Sequence, residues 1–449
     1  MGIVWALVGV GAAGLGLGIW LFVRAQHMRR GRVFGVFGGV VLVLAALVLL
    51  ACYLPVFVLP DVAAESAVFN QPAPVDASAN VFFLSSSEVD YGTPSIPTDT
   101  LIAVAARTGR VRWQHALPGT RSQLAVEGDS VYVATLLLPP ADTVTVAAYR
   151  GADGALLWQL TTASSLQHAV LGATGDVVYF LTGVAAPSSP ATIIALRASD
   201  GTKLWSAETG TDAKAYVTTL LAAPDAVYLS TRIGVEAHGA ANGRRLWTHT
   251  QLASNPVVAA GVAYLPLSGR GFAAVRARDG TVICQADGKF VATFGALDGD
   301  SLYLSGLIQG SPGESPPYPS AIYAYDAATC APRWHAAYVA SDLMANGGNV
   351  YMIAADSGTV TGVRGADGTV LWHSGAVTST LSGMGWRFST QPALLGTTLF
   401  ATSGIMGGGI HVFGGYGWVH LYAFSGRSGF NYWHEPIGHR TRFSSHLVF

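Results

Sequence analysis

One eleven-residue unit occurs eight times in this chain, and that repetition limits the folds open to it more than any other feature. The copies read AVAARTGRVRW (103–113), AYRGADGALLW (148–158), ALRASDGTKLW (195–205), AHGAANGRRLW (237–247), AVRARDGTVIC (274–284), AYDAATCAPRW (324–334), GVRGADGTVLW (362–372) and AFSGRSGFNYW (423–433). The first position is Ala in seven copies and Gly362 in the other. The fourth is always Ala or Gly, the sixth is Asp, Asn, Ser or Thr, and the seventh is Gly in all but one. An apolar strand ends, a turn residue and Gly reverse the chain, and a second strand carries the Trp. Gly at a fixed offset supplies the positive φ that such a hairpin needs.

Before each unit lies another strand with an aromatic residue: NVFFL (80–84), SVYVA (130–134), VVYFL (177–181), AVYLS (226–230), VAYLP (262–266), SLYLS (301–305), NVYMI (349–353) and TLFAT (398–402). A weaker apolar segment precedes most of these, such as QLAV at 123–126. Four strands per repeat and eight repeats predict an all-β, eight-bladed β-propeller of four-stranded antiparallel blades over 72–449. An open solenoid shares the periodicity but needs distinct capping repeats, and none is evident.

The unit resembles the tryptophan-docking motif of the PQQ-like repeat family, A-x-D-x-x-T-G-x-x-x-W, over about residues 72–433. It departs from that pattern at the third position, which is Asp only at Asp326. The resemblance implies that each motif Trp packs on the Gly peptide of the next motif. The residues concerned are Trp113, Trp158, Trp205, Trp247, Trp334, Trp372 and Trp433, with Gly109, Gly154, Gly201, Gly243, Gly280, Gly368 and Gly429. Cys284 stands at the Trp position of the fifth unit and Cys330 at the Gly position of the sixth. On this resemblance the two substitutions fall on opposite sides of one contact. A disulfide in place of aromatic docking is therefore expected between blades five and six.

Hydrophobic residues make up 51% of the chain and charged residues 11%, so a membrane or a very large core is required. Residues 3–23 and 33–59 are uncharged runs long enough to span a bilayer, separated by RAQHMRRGR at 24–32. The arginines of that loop favour the cytoplasm. The expected organisation is a two-helix transmembrane hairpin over 1–60, a linker over 61–71, and a propeller outside the cytoplasm. A second reading starts at Met28 and treats Cys52 as the lipidated residue of a lipoprotein, although the apolar run continues past it. GVGAAG at 9–14 matches a dinucleotide fingerprint in letters only, because no strand precedes it. A net charge of −1 gives no basic footprint for nucleic acid.

Catalytic signals are sparse. Family enzymes that carry PQQ have two adjacent cysteines against the cofactor, whereas no two of the three cysteines here are neighbours. No CxxCH for covalent haem is present. His411, His420, His434, His439 and His446 gather near the C-terminus without a metal-ligand spacing. His335, His373 and His434 each follow a motif Trp, which duplication of a blade-edge position explains. DGD at 298–300 reads as a turn. No cofactor and no metal are expected.

Long segments between the aromatic strand and the next motif occur in blades one, two, three, six and eight, and strand alternation puts them on one face. The last, 403–420, carries Ile405, Met406, Val412, Phe413, Tyr416 and Trp418 among many glycines, a composition suited to a partner surface or to folding over the propeller mouth. The expectation is a non-enzymatic, membrane-anchored propeller that binds a protein or envelope component. In character it is similar to the family's non-enzymatic envelope propellers, such as the lipoprotein of outer-membrane barrel assembly, although a two-helix anchor departs from that pattern. A PQQ-dependent dehydrogenase and an extracytoplasmic sensor are the alternatives. The sequence leaves the closing strand open, with QPAPVDA (71–77) one candidate for the first strand of blade one and SSHLVF (444–449) then an extra edge strand or clasp.

Overall fold

The computed structural model describes the chain apart from residues 1–70, 88–98, 138–139, 165, 167–168, 184–189, 211–216, 232–233, 251–255, 268–270, 289, 309–319, 339, 341, 355–358, 375–385, 389–392, 406–417, 440 and 444–449. Both apolar runs expected to span a membrane lie outside the described residues. Among the described residues no helix is long and apolar enough to cross a bilayer. Residues Phe69–Ala376 and Trp386–Phe449 form one compact unit.

Eight antiparallel sheets make up this unit, and it is an eight-bladed β-propeller. Blade 2 shows the pattern, from the inner strand to the outer: Thr120–Glu127, Ser130–Leu137, Thr143–Arg150 and Leu156–Ala163. Blades 3 to 7 repeat it in chain order. In blade 8 the inner position is divided between Trp386–Phe388 and Ala393–Leu395, both paired with Thr398–Ile405. The eleven-residue unit occupies the third strand, the tight turn and the outer strand of every blade. Each described apolar cluster is shared by two neighbouring blades. Phe82, Leu84 and Leu101 of blade 1, for example, pack with Leu124, Val131 and Val133 of blade 2. The core therefore sits in the seams, and the blades depend on their neighbours for burial.

The ring closure left open by the sequence is made by the C-terminal segment. The inner strand of blade 1 is Thr441–Phe443, which pairs antiparallel with Ser85–Ser87. Residues 71–77 form no strand. Pro72 and Pro74 lack the N–H that a ladder needs, and Pro fits such positions only at edges. The segment instead straps the seam between blades 8 and 1. Gln71 N–H donates to Tyr432 O at 3.0 Å and Ala73 N–H to Arg107 O at 2.8 Å. Ala73 is buried beside Trp433, and an Arg112 guanidinium N–H donates to Ala77 O.

Removing residues 441–449 should lower unfolding free energy by about 2–4 kcal/mol, since three register pairs lose their ladder. Urea denaturation of the truncated chain checks this. An unchanged midpoint would return the closing role to residues 71–77.

Candidate functional site

The seams are built from one ladder repeated round the ring. In every blade but blade 5, where Cys284 replaces the Trp, an aromatic residue of the second strand, a small residue of the third and the motif Trp of the outer strand lie side by side. Blade 2 places Tyr132 opposite Ala148 and Ala148 opposite Trp158. Blade 7 uses Tyr351, Gly362 and Trp372. Ring centroids of the flanking aromatics are 5.7 Å (Phe82–Trp113) to 6.1 Å (Tyr351–Trp372) apart. The small first motif residue thus lets two aromatic rings meet above it. A Cβ on Gly362 would lie 2.5 Å from the Trp372 ring, so this copy has no room even for Ala.

Each indole then crosses to the next blade. Trp113 covers Gly154, Trp158 Gly201, Trp205 Gly243, Trp247 Gly280, Trp334 Gly368, Trp372 Gly429 and Trp433 Gly109. A Cβ at these glycines would come within 2.4–2.9 Å of the ring system or a neighbouring atom, and their φ values run from 69° to 75°. Both the backbone conformation and the close approach therefore require Gly. The indole Nε1 donates to the carbonyl of the fourth motif residue, as from Trp158 to Ala198 O at 2.7 Å and from Trp334 to Gly365 O at 2.7 Å. Sequence reasoning did not assign this fourth-position acceptor, although its restriction to Ala or Gly was the signal. Tyrosine hydroxyls share it: Tyr179 Oη donates to Ala240 O at 3.4 Å beside Trp205 Nε1 at 2.9 Å. Burial pushes the Tyr179 hydroxyl up to about 12, so it remains a donor at neutral pH.

Two seams differ. Between blades 5 and 6, Cys284 and Cys330 form a disulfide with Cα atoms 5.8 Å apart. Cys330 keeps a φ of 58°, the left-handed conformation that Gly adopts in the other copies. Tyr264 Oη donates to Ala327 O at 3.1 Å, taking the acceptor that an indole uses elsewhere. The same seam also holds aromatic packing, with Phe290 stacked on Tyr323 at 4.3 Å. At the closing seam Trp433 is buried, and among the described residues its Nε1 has no hydrogen-bond partner.

The departure at the third motif position also has a physical reason. Arg150, Arg197, Arg276 and Arg364 stand there and pair with Asp153, Asp200, Asp279 and Asp367 across the turn. Each of these Asp side chains also accepts a backbone N–H two residues on, from Ala155, Thr202, Thr281 and Thr369. In the copy without the Gly, Asp326 caps the turn through Thr329 and binds Arg333, and these bonds hold its carboxyl down at about 2.

One buried ionisable pair was not foreseen. Glu236 and His238 replace apolar residues facing blade 3, with His238 Nε2 at 3.1 Å from Glu236 Oε2 and Nδ1 at 2.9 Å from Gly243 O. Gly210 N–H also donates to Glu236, at 3.0 Å. Burial raises the Glu236 carboxyl, but His238, Gly210 and the Arg245 charge outweigh it, and the net shift is downward.

The histidines that follow a motif Trp occupy equivalent places in their blades, facing the third strand. His335, His373 and His434 sit opposite Tyr323, Thr361 and Tyr422 of the third strands. His411 and His446 lie outside the described residues, and His420 and His439 are placed only as strand backbone. Among the described residues no group of three His, Cys, Asp or Glu could hold a metal ion. Of the partner-loop residues, Met406, Val412, Phe413 and Tyr416 lie outside the described residues. Ile405 and Trp418 end the strands that flank the loop, opposite Trp386 and His439. The strand ends Ser87, Leu137, Thr182, Ile308 and Ile405, after which the five long segments begin, lie at the face opposite the motif turns.

Residues 97–263 and 272–447 match the family model described as outer membrane protein assembly factor BamB. The chain belongs to this family. Among solved structures it is similar to BamB from Moraxella catarrhalis, 15% identical over 67% of this chain and 87% of that one, with a TM-score of 0.45. It is also similar to the computationally designed Ika8 protein, at 14% identity over 73% and 91% with a TM-score of 0.53. A third is dihydro-heme d1 dehydrogenase NirN in complex with DHE, at 10% over 85% and 77%, also with a TM-score of 0.53. No curated protein sequence matches the chain. At these identities the structural likeness speaks for the propeller fold alone.

Two tests follow from the seams. Cys284→Ala with Cys330→Ala should cost about 4 kcal/mol, because the bond closes a loop with a sequence separation of 46. Cys284→Trp with Cys330→Gly should recover part of that loss by rebuilding the aromatic docking of the other seams, and urea midpoints of both variants decide it. Glu236 lends stability above its ordinary value of 4.5 that is lost as pH falls through its lower folded value. Glu236→Gln should therefore flatten the stability profile below about pH 4.5.

Proposed function

We propose that this chain is a membrane-anchored, extracytoplasmic propeller that acts as a binding scaffold for a protein or envelope component and carries out no chemistry itself. The observation that supports it most is the asymmetry of its two faces. The motif turns of one face are tight and held by docking, whereas the other carries the long segments of blades 8, 1, 2 and 3, which are consecutive once the ring closes. Binding surfaces concentrate on such connections when a rigid scaffold holds their ends. The apolar runs at 3–23 and 33–59 with the basic segment 24–32 support a two-pass anchor with both termini outside the cytoplasm. Lipidation at Cys52 would give the same exposure of the propeller.

The quinoprotein alternative fits the residues poorly. Cys284 lies on an outer strand and Cys330 in a motif turn, joined to each other at a blade seam, so they form no adjacent-cysteine pair against a quinone on the axis. An extracytoplasmic sensor would need a cytoplasmic signalling partner, since 24–32 is too short to be a domain.

Purification from native membranes in mild detergent, with mass spectrometry of proteins and small molecules, tests the reading. A stoichiometric protein partner lost on trimming 403–420 is the expected result. A bound quinone or metal without a protein partner would overturn it.

A further inference from the structure

Among the described residues no strand pairs on the far side of any outer strand, and an unprotected edge is a template for another strand. Most of the outer strands carry a guard. Val111–Ala116 has Arg112, Lys203–Glu208 has Lys203 and Glu208, Arg245–Thr250 has Arg245, Pro332–Ala336 has Pro332 and Arg333, and Asn431–His439 has Glu435 and Pro436. Val282–Ala286 and Val370–His373 lack Lys, Arg, Asp, Glu and Pro but span only 5 and 4 residues. Leu156–Ala163 of blade 2 is different: it has 8 residues, LLWQLTTA, and no charged residue or Pro. Leu156 and Leu157 are 54% and 41% exposed.

The backbone phase of this edge is fixed. Ser164 N–H donates inward to Asp142 O at 2.8 Å. By strand alternation Gln159 and Thr161 then present their N–H and C=O groups outward. Ala163 O is already taken by Thr182 Oγ1 at 2.6 Å, and the register shift between Ala148 and Tyr149 lies at the other end of the strand. The open edge is thus centred on Leu160.

We propose that the chain pairs with a second copy of itself through this edge, as an antiparallel two-fold join centred on Leu160. Gln159 of each copy then faces Thr161 of the other, and the two exchange N–H···O=C bonds. Trp158 faces Thr162 in the same register. A two-fold join brings each side chain against its own strand's chemistry. Here that chemistry is neutral, so no like charges meet. The two four-stranded blades become one continuous eight-stranded sheet. This join does not depend on what the loop face binds.

Sedimentation velocity of the full chain in mild detergent, over a range of concentrations, tests it. Gln159→Lys with Thr161→Lys places two lysine pairs across the axis and should abolish the dimer. Gln159→Lys with Thr161→Glu places Lys opposite Glu twice and should restore it. Both substitutions are on exposed positions, and unchanged far-ultraviolet circular dichroism confirms folding. Val282→Lys on the blade 5 edge should leave the dimer intact. A chain that stays monomeric at every concentration, or a dimer indifferent to the double lysine variant, overturns the proposal.

Discussion

The packing of an indole on the peptide of the next blade is the interaction on which this propeller depends. It fixes three other residues at once. The peptide under the ring must be Gly in the left-handed conformation, because a Cβ there would meet the ring at under 3 Å, as at Gly201. The fourth motif residue must be small, because its carbonyl receives the indole N–H and the tip of a neighbouring aromatic reaches it. The first must be small, because two aromatic rings lie to either side of it. The pattern read as a repeat is therefore a list of the clearances one contact needs. Since each apolar cluster is shared by two blades, this contact also aligns the surfaces that bury the core.

The two exceptional seams show what that contact supplies. Where Trp is replaced by Cys284, the disulfide to Cys330 keeps the same two strands together, and the left-handed turn survives with a side chain in the place of Gly. The non-Gly residue carries a conformational cost of roughly 1–2 kcal/mol, smaller than the roughly 4 kcal/mol that loop closure contributes. At the closing seam the indole is present but its N–H has no partner among the described residues, and closure is shared with a C-terminal strand and the strap of residues 71–77. One seam is held by a covalent bond and the other by extra chain.

Blade number, strand order and the positions of Trp, Gly and Cys were legible in the sequence because docking writes them at fixed spacing. Ring closure was not, since three residues at 441–443 carry no periodic signal and the prolines at 72 and 74 were outweighed by position alone. The Glu236–His238 pair escaped for a related reason. Its two members lie two residues apart on a strand, so they share a face, but their burial depends on a neighbouring blade that a single strand does not reveal. The third-position arginines looked like a departure from the family until the Asp three residues on supplied their partner.

The docking contact also constrains where such a molecule can vary. Motif turns on one face are bound by Gly, small residues and an indole, so substitution there threatens two blades at once. The opposite ends of the same strands bear no such requirement, and segments such as 88–98, 309–319 and 406–417 differ freely in length and composition. The outer edges form a third territory, restrained only by the need to avoid unintended strand pairing. Five blades meet that need with charge or Pro, two by being short, and blade 2 by neither. Variation that escapes the docking constraint is thus confined to the loop face and to the rim, and any recognition specific to this chain has to be built there.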